Sequence, residues 1–461
     1  MTTLASFSRF PRIAPFLLFL IFCLSVHAEE WALTFAVTEN KIIESPKGDA
    51  PPRNETRHYT QTVVLGPDRL AVQDDRQKII YDFSRRSMLV LDLAANTYNE
   101  WSLYGLPSFF EHELSNRTAL GAVMRAAKIQ QTEAIFLRYD NETALRVETR
   151  SAPRDFPAPI IKSVKQEGAF EFRHADAVVV RFVPADKPLP VAWHHRFVNY
   201  LAYSCCIHPQ IRRTIAETKA IPQELTFTSR NTGTLTTTTL RLVSSLSVST
   251  DSAALPAGAK RAAHSNELFF ELLTAIETTA RNPDRPARAE TVTLADQAVT
   301  RGQPLEAMLA LLEFGLQSGD NLTVDIQRHR KSFDRDPACQ AYLKAFGQKD
   351  KAAAEKSLVI NVSINRQGLT KTHMLDLQRA NLLERTGHAR EAIEHYFTVL
   401  RANPYHAGAL HDLGMLYLRG YDHSKAWLCW DAARRLYPNH PLMSDVIRIE
   451  QEVLKNQPDF F

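Results

Sequence analysis

Leu410-His411-Asp412-Leu413-Gly414-Met415-Leu416-Tyr417 leads into Ala426-Trp427-Leu428-Cys429-Trp430 and then Pro438. Much of this order of residue types stands 34 positions earlier: Ala380 aligns with Gly414, Leu383 with Tyr417, Ala392 with Ala426, Tyr396 with Trp430 and Pro404 with Pro438. A fixed period of this length marks a helical hairpin that cannot bury its apolar face alone and must stack on a copy of itself. The spacing has a physical reading. Small residues at Ala380, Gly414, Ala392 and Ala426 let the two helices of a hairpin approach closely. Tyr396 and Trp430 fill the space beside them. Pro404 and Pro438 stop the second helices, because proline cannot continue one. The earlier copy is the poorer, with Asp376 and Arg379 at two packing positions.

These residues resemble the tetratricopeptide repeat, with Leu410 where that family usually has tryptophan. The resemblance covers about Thr372 to Pro438. It implies an α-solenoid of hairpins whose first helices line a concave groove for a protein or peptide partner. Carried onto this sequence, the groove presents Met374, Leu377, Asn381, Glu384 and Arg385 from one hairpin. The next adds His411, Met415, Leu418 and Arg419. The alternative is that the hairpins only pack on the rest of the chain or mediate self-association. The clamp for acidic C-terminal peptides needs lysine near Leu377 and asparagine near Asp412, and neither is present.

Outward from the repeats, Gly302-x-x-x-Glu306-Ala307 echoes Gly387-x-x-x-Glu391-Ala392, but at an offset that is not a multiple of the period. The stretch before the repeats is therefore degenerate, and a divergent helix pair from about Pro337 to Ile360 must fill the gap. Amphipathic helices are predicted at Asn266–Arg281, Ala287–Arg301 and Leu305–Gln317 from apolar spacing. Leu442, Val446, Ile449 and Val453 form the one-sided stripe of a capping helix. Upstream, Ser252 to Ala263 contains Pro256, Gly258 and several alanines and reads as a linker.

Before that linker the apolar period is two. Strands are predicted at Trp31–Val37, Tyr59–Leu65, Lys78–Phe83, Met88–Leu93, Thr97–Leu103, Ala134–Tyr139, Ala144–Thr149, Val178–Val183, Thr226–Ser229 and Thr234–Ser249, about ten in all, with close turns that suit an antiparallel meander. Helices are predicted at about Ser108–Lys128 and Val191–Cys206. The second carries Trp193, Phe197, Tyr200 and Leu201 on one face. That face either packs on the sheet or lines a cavity for an apolar ligand, with Trp193, Phe197 and Tyr200 as candidate contacts. Asp68-Arg69-Leu70, Ile80-Tyr81-Asp82-Phe83, Leu91-Asp92 and Thr97-Tyr98 give residues 30 to 250 a resemblance to periplasmic lipoprotein-carrier-like domains, which implies a curved, incompletely closed sheet. The expected fold class is α+β and multidomain. A signal peptide spans 1–28, a half-barrel with covering helices 29–251, and a linker 252–264. Degenerate helical repeats span 265–371, and two repeats plus a cap 372–461.

Composition narrows the function classes. Arg9 and Arg12 precede an apolar run from Ile13 to Val26, and Val26-His27-Ala28 supplies compact residues at the two positions a signal peptidase reads. That run is short of the ~20 residues a spanning helix needs. The expected location is exported and periplasmic, with secretion as the alternative and no integral membrane segment after cleavage. The net charge of +4 includes those two arginines. So balanced a chain argues against nucleic acid, which calls for a clustered basic patch. The clusters Arg328-His329-Arg330-Lys331 and Arg434-Arg435 read as solvated faces. Glycine is scarce, 16 of 461 residues, which disfavours chemistry built on glycine-rich loops. Beyond Cys23 the cysteines are Cys205, Cys206, Cys339 and Cys429, too few for a disulfide scaffold in a chain this long.

Two groups invite a chemical reading. Cys205, Cys206 and His208, with His194 and His195, are the one dense set of metal or redox ligand types. On a continuous helix His194 and Cys205 would stand ~16 Å apart, so a shared metal requires the chain to turn back. His112-Glu113-Leu114-Ser115-Asn116 has asparagine where a zinc-protease helix requires its second histidine. The expectation is a binding or scaffold protein without catalysis, cofactor or metal, with an apolar-ligand carrier or a metal or redox protein as alternatives.

Overall fold

Strand β1 (Glu30–Ile43) is the seam of the sheet. Its residues alternate between two buried faces. Leu33, Phe35 and Val37 enter the main core, and Ala32 enters a second, smaller one on the opposite side. The computed structural model describes residues 30–43, 51–109, 111–112, 126, 161–174, 177–231, 234–248, 252–262, 267–280, 287–346 and 350–456. The predicted signal segment, the strands at 134–139 and 144–149, and most of the helix at 108–128 lie outside them.

One edge of β1 starts a meander of β2 (Arg53–Leu65), β3 (Arg69–Gln73), β4 (Gln77–Asp82), β5 (Ser87–Asp92) and β6 (Thr97–Ser102). The other edge pairs with β11 (Thr234–Val248), and a second meander runs outward through β10 (Ala220–Asn231), β9 (Ala177–Pro188), β8 (Ala169–His174) and β7 (Ile161–Gln166). All these pairs are antiparallel, and a bulge in β11 breaks the β1–β11 register between Thr34 and Phe35. The twelfth strand, β12 (Lys260–Arg261), is parallel to β6 and corrects the purely antiparallel expectation. The β7–β8 hairpin is also absent from the expectation. Its two-residue turn has positive φ at Glu167 (49°) and Gly168 (82°), the backbone that a tight hairpin turn demands.

Helix α1 (His194–Tyr203) and helix α2 (Pro209–Glu217) cover the main face. The sequence suggests one helix as far as Cys206. The chain instead leaves helical geometry after Tyr203, Cys206 takes φ +51°, and Pro209 opens α2 as its first residue. Phe197, Tyr200, Leu201, Ile207, Ile211 and Ile215 are buried against Leu33, Phe35, Val63 and Leu65.

The segment read as a linker is sewn to the outer face of the sheet. The Lys78 ammonium donates to the Ser252 carbonyl at 2.9 Å and to the Ala254 carbonyl at 2.7 Å. Ala253 is buried, and its N–H donates to Glu30 at 3.2 Å.

The helical part follows: α3 (Glu267–Ala280), α4 (Arg288–Thr300), α5 (Pro304–Ser318), α6 (Thr323–Arg328), α7 (Arg330–Arg335), α8 (Pro337–Ala345) and α9 (Lys351–Ser363). Next come α10 (His373–Thr386), α11 (Ala389–Ala402), α12 (Ala407–Arg419), α13 (His423–Leu436) and α14 (Met443–Asn456). Helices α10 and α12 start one sequence period apart, as do α11 and α13, so the sequence period is the structural one. Ala380, Ala392, Ala426, Tyr396 and Trp430 are all fully buried. A Cβ on Gly414 would run into the indole nitrogen of Trp430, so glycine is required for this approach.

Sheet and helices share one continuous core. The joint is where β6 and the helical turn at residues 105–109 meet α13. The rings of Tyr104 and Trp427 lie 4.8 Å apart, and the Ser102 N–H donates to Ser424 Oγ at 2.8 Å. Helix α3 wedges in beside them, with Phe269 edge-on to Tyr417 at 5.5 Å.

Candidate functional site

The nine projected groove residues divide by burial. Met374, Leu377 and His411 are buried, Asn381, Glu384, Met415 and Leu418 are half-buried, and Arg385 and Arg419 are exposed. Residues 374–378 are buried without a break, so the first half of α10 is enclosed on every side. The cause is the degenerate stretch. Helix α5 is apolar around most of its circumference, and such a helix must be surrounded. It lies across the start of the first repeat. The Lys371 ammonium is 2.6 Å from Glu313, and His373 Nε2 is 2.5 Å from the same carboxylate. Thr370 donates to Glu306 through both its N–H and its hydroxyl. Gly408 at the start of α12 sits against the Leu316 carbonyl. Met374, Leu377 and His411 therefore belong to the interior. On the outer half, Glu384 pairs with Arg419 across the hairpins, and Tyr396 donates to Asn381 at 2.6 Å.

What stays open is a cleft of about 720 Å³ between α4–α5 and the first repeat. Leu294, Ala310, Phe314, Pro404 and Tyr405 form its apolar wall. Lys371, His373, Glu313, Gln317 and Asn403 form its polar wall. Leu294 is 47% exposed although its helix buries Thr291, Ala295 and Ala298, so an apolar side chain faces the cleft unpacked. The polar wall is pre-set. The Asn403 amide donates to Glu313 at 2.7 Å and to Gln317 at 2.8 Å, and the Gln317 amide donates to the Tyr437 hydroxyl at 2.9 Å. Burial would raise the pKa of Glu313, but His373 and Lys371 outweigh it and hold the carboxyl at about 2. The wall thus presents an ionised Glu313 held beside Lys371 and His373. Sequence pattern points to the first helices of the hairpins and passes over this cleft. Its one local sign is Leu294, an apolar residue beside a face of small ones.

In the sheet, Phe197 and Tyr200 pack into the core. Tyr200 stacks on Phe35 at 6.4 Å and donates to Gln61 at 2.6 Å. Trp193 is half-buried against the same core. Phe197 and Tyr200 are thus spent on packing α1 against the face of the sheet. Tyr200 also borders a cleft of about 260 Å³ whose walls include Glu39, Gln61, Ser229, Thr236 and Thr238. Those walls are largely polar.

Cys205, Cys206, Cys339 and Cys429 are free thiols. Burial pushes the Cys205 thiol far up, away from the reactive thiolate. His208 is the N-cap of α2, its Nδ1 accepting from the Gln210 N–H at 3.2 Å. His194 Nε2 donates to the Leu189 carbonyl at 2.6 Å. The chain does turn back after Tyr203, yet these groups serve local structure, and among the described residues no set of three or more potential ligands is placed to hold a metal. No described helix is long and apolar enough to cross a membrane.

A third group escapes sequence analysis because its members come from distant parts of the chain. His423 Nδ1 is 2.8 Å from Ser108 Oγ, and its Nε2 is 3.2 Å from His112 Nδ1. Burial lowers the His423 pKa to about 4. Ser108 is buried where it meets His423.

No protein-family model and no curated protein matches the chain. Among solved structures, one described as lipid–protein interactions in lipovitellin aligns with 92% of this chain and 54% of its own, at 10% identity and a TM-score of 0.17. The chain therefore spans about half the length of that structure, and so low a score supports no inference from it.

Proposed function

We propose that this is an exported binding protein of the cell envelope whose tetratricopeptide-like part docks a segment of another protein. The observation that carries this reading is the cleft between α4–α5 and the first repeat, with an unpacked leucine on one wall and prearranged polar groups on the other. That pairing suits an extended segment. An apolar side chain would cover Leu294 and Phe314, and its backbone amides would meet Gln317, Asn403 and Thr370. The degenerate helices support the repeats from inside, which moves the docking face from the inner surface of α10 and α12 to their margin. The apolar run after Arg12 and the compact Val26-His27-Ala28 support export to the periplasm.

The test places a photo-crosslinking residue at Leu294 or, as a control, at Leu343, which is 44% exposed on α8 and outside the cleft. The full chain is produced in cells and adducts are read by mass spectrometry. An adduct to one protein segment from Leu294 and none from Leu343 supports the reading. The same adducts from both positions, or none from Leu294, overturn it. An apolar molecule retained by the sheet domain, found by organic extraction and mass spectrometry, would favour the apolar-ligand carrier reading instead.

A further inference from the structure

Four arginines meet at the joint between sheet and helices. Arg85 and Arg86 come from the β4–β5 turn, Arg434 and Arg435 from the end of α13, and with Glu277 of α3 and Asp431 they line an open cavity of about 550 Å³. In sequence Arg434-Arg435 reads as a solvated face, but the fold brings a second arginine pair against them from across the chain.

The acids present do not use the donors up. Arg85 Nη2 and Arg435 Nη2 both approach one oxygen of Glu277, at 3.1 and 3.5 Å. Arg86 Nη2 lies 2.7 Å from Glu450 Oε1 and Arg434 Nη1 lies 2.8 Å from Glu450 Oε2. Both arginines are also 3.7–3.9 Å from the same Asp431 oxygen. Four guanidinium groups thus face three carboxylates. Nε and Nη2 of both Arg86 and Arg434 are buried without a hydrogen-bond partner. Arg86 Nη2 is thus a charge partner of Glu450 without a hydrogen bond to it. The Arg86 guanidinium lies 3.8 Å over the Tyr104 ring, which fixes its plane. The outer pair, Arg85 and Arg435, remains 46% and 39% exposed at the side chain.

A surplus of planar donors around an open space, held in place by stacking and paired acids, is an oxyanion receptor. A carboxylate offers two oxygens confined to one plane. A tetrahedral phosphate offers three oxygens in different directions and suits guanidinium groups arriving from two chain segments. We propose that this cavity binds a phosphate-bearing ligand, which bridges the β4–β5 turn to α13 and braces the sheet against the repeats. The phosphate comes from a soluble ester or from a lipid headgroup, and both present the same chemistry to the arginines.

Binding is measured on the full mature chain by calorimetry with pyrophosphate and inorganic phosphate at constant ionic strength. Flotation with phosphatidylglycerol vesicles against phosphatidylcholine vesicles is run in parallel. The expected result is one-to-one binding of pyrophosphate, or flotation with phosphatidylglycerol alone, that weakens about tenfold or more in Arg85→Gln/Arg435→Gln. Both replaced side chains are on the solvent side, and an unchanged circular dichroism spectrum confirms the fold. Arg241→Gln removes an exposed charge from β11 and should leave binding as it was. Pyrophosphate binding alone identifies a soluble ester, and flotation alone a headgroup. Absence of both, or equal losses in the double variant and Arg241→Gln, overturns the proposal.

Discussion

The sheet and the repeats bury apolar surface by different rules, and the joint between them obeys neither. In the repeats the core recurs once per period, so each packing position is written twice: Tyr396 and Trp430, Ala392 and Ala426. In the sheet the rule is alternation, and neighbours such as Phe35 and Leu242 come from strands far apart in the chain. At the joint, Tyr104 meets Trp427 and Arg86 meets Asp431 with no period to announce them. A repeat constrains its own interior tightly and says little about what leans on it.

Trp427→Ala strikes the joint, where the two rules meet, and should cost the most, ~3–5 kcal/mol, as large aromatic deletions in cores do. Denaturant titration of both proteins measures it, and a loss below ~1 kcal/mol would show the joint to be loosely packed.

Acid should act next. Burial lowers His406 and His423 to about 4, below the unfolded value of 6.5. Their contribution to stability is complete above pH 6.5 and is lost as pH falls toward 4. Asp431 opposes them. Burial outweighs Arg86 and Arg434 and raises it to about 6, so protonation between pH 6 and 4 favours the folded state. Two histidines against one aspartate leave a net loss of roughly 3 kcal/mol between pH 7 and 4. His406→Asn keeps a side-chain cap for the Ala409 N–H and should flatten the profile. An unchanged slope would remove His406 from the account.

Within the repeats, Gly414→Ala should destabilise by ~1–3 kcal/mol, because its Cβ would meet Trp430. In an open helix the same change stabilises by about 1 kcal/mol, so the sign alone decides whether the close approach exists. The smallest effect compares the two hairpin turns. Gly387 has φ +89° and faces open space where a Cβ would stand, so Gly387→Ala should cost only the backbone strain of ~1 kcal/mol. The equivalent residue one period later is Tyr421, at φ +63°, where a ring stacked on His112 at 4.3 Å compensates the strain.

The same contrast explains which elements are legible in the sequence. Helices α10 to α13 follow the 34-residue spacing, and Val446 and Val453 are buried on α14, because each residue there answers to its own helix and the next. The β10–β11 hairpin is legible for the same local reason. The first half of α10 is misleading in sequence, since the repeat pattern leaves it open and this chain packs α9 along it while α5 holds Thr370, Lys371 and His373. Helix α2 escapes notice because only Ile211 and Ile215 mark its buried side. Strand β12 is two charged residues, and nothing local distinguishes Lys260-Arg261 from a linker. The 720 Å³ cleft and the arginine cavity join segments from well-separated parts of the chain, so no window of sequence contains either.

The central claim is that sheet and repeats form one packed body joined through Tyr104 and Trp427. Hydrogen–deuterium exchange of Trp427→Ala against the unaltered protein tests it directly. The account predicts faster exchange in β4 to β6 as well as in α12 to α14. Faster exchange confined to the helices, with the sheet amides unchanged, would contradict it.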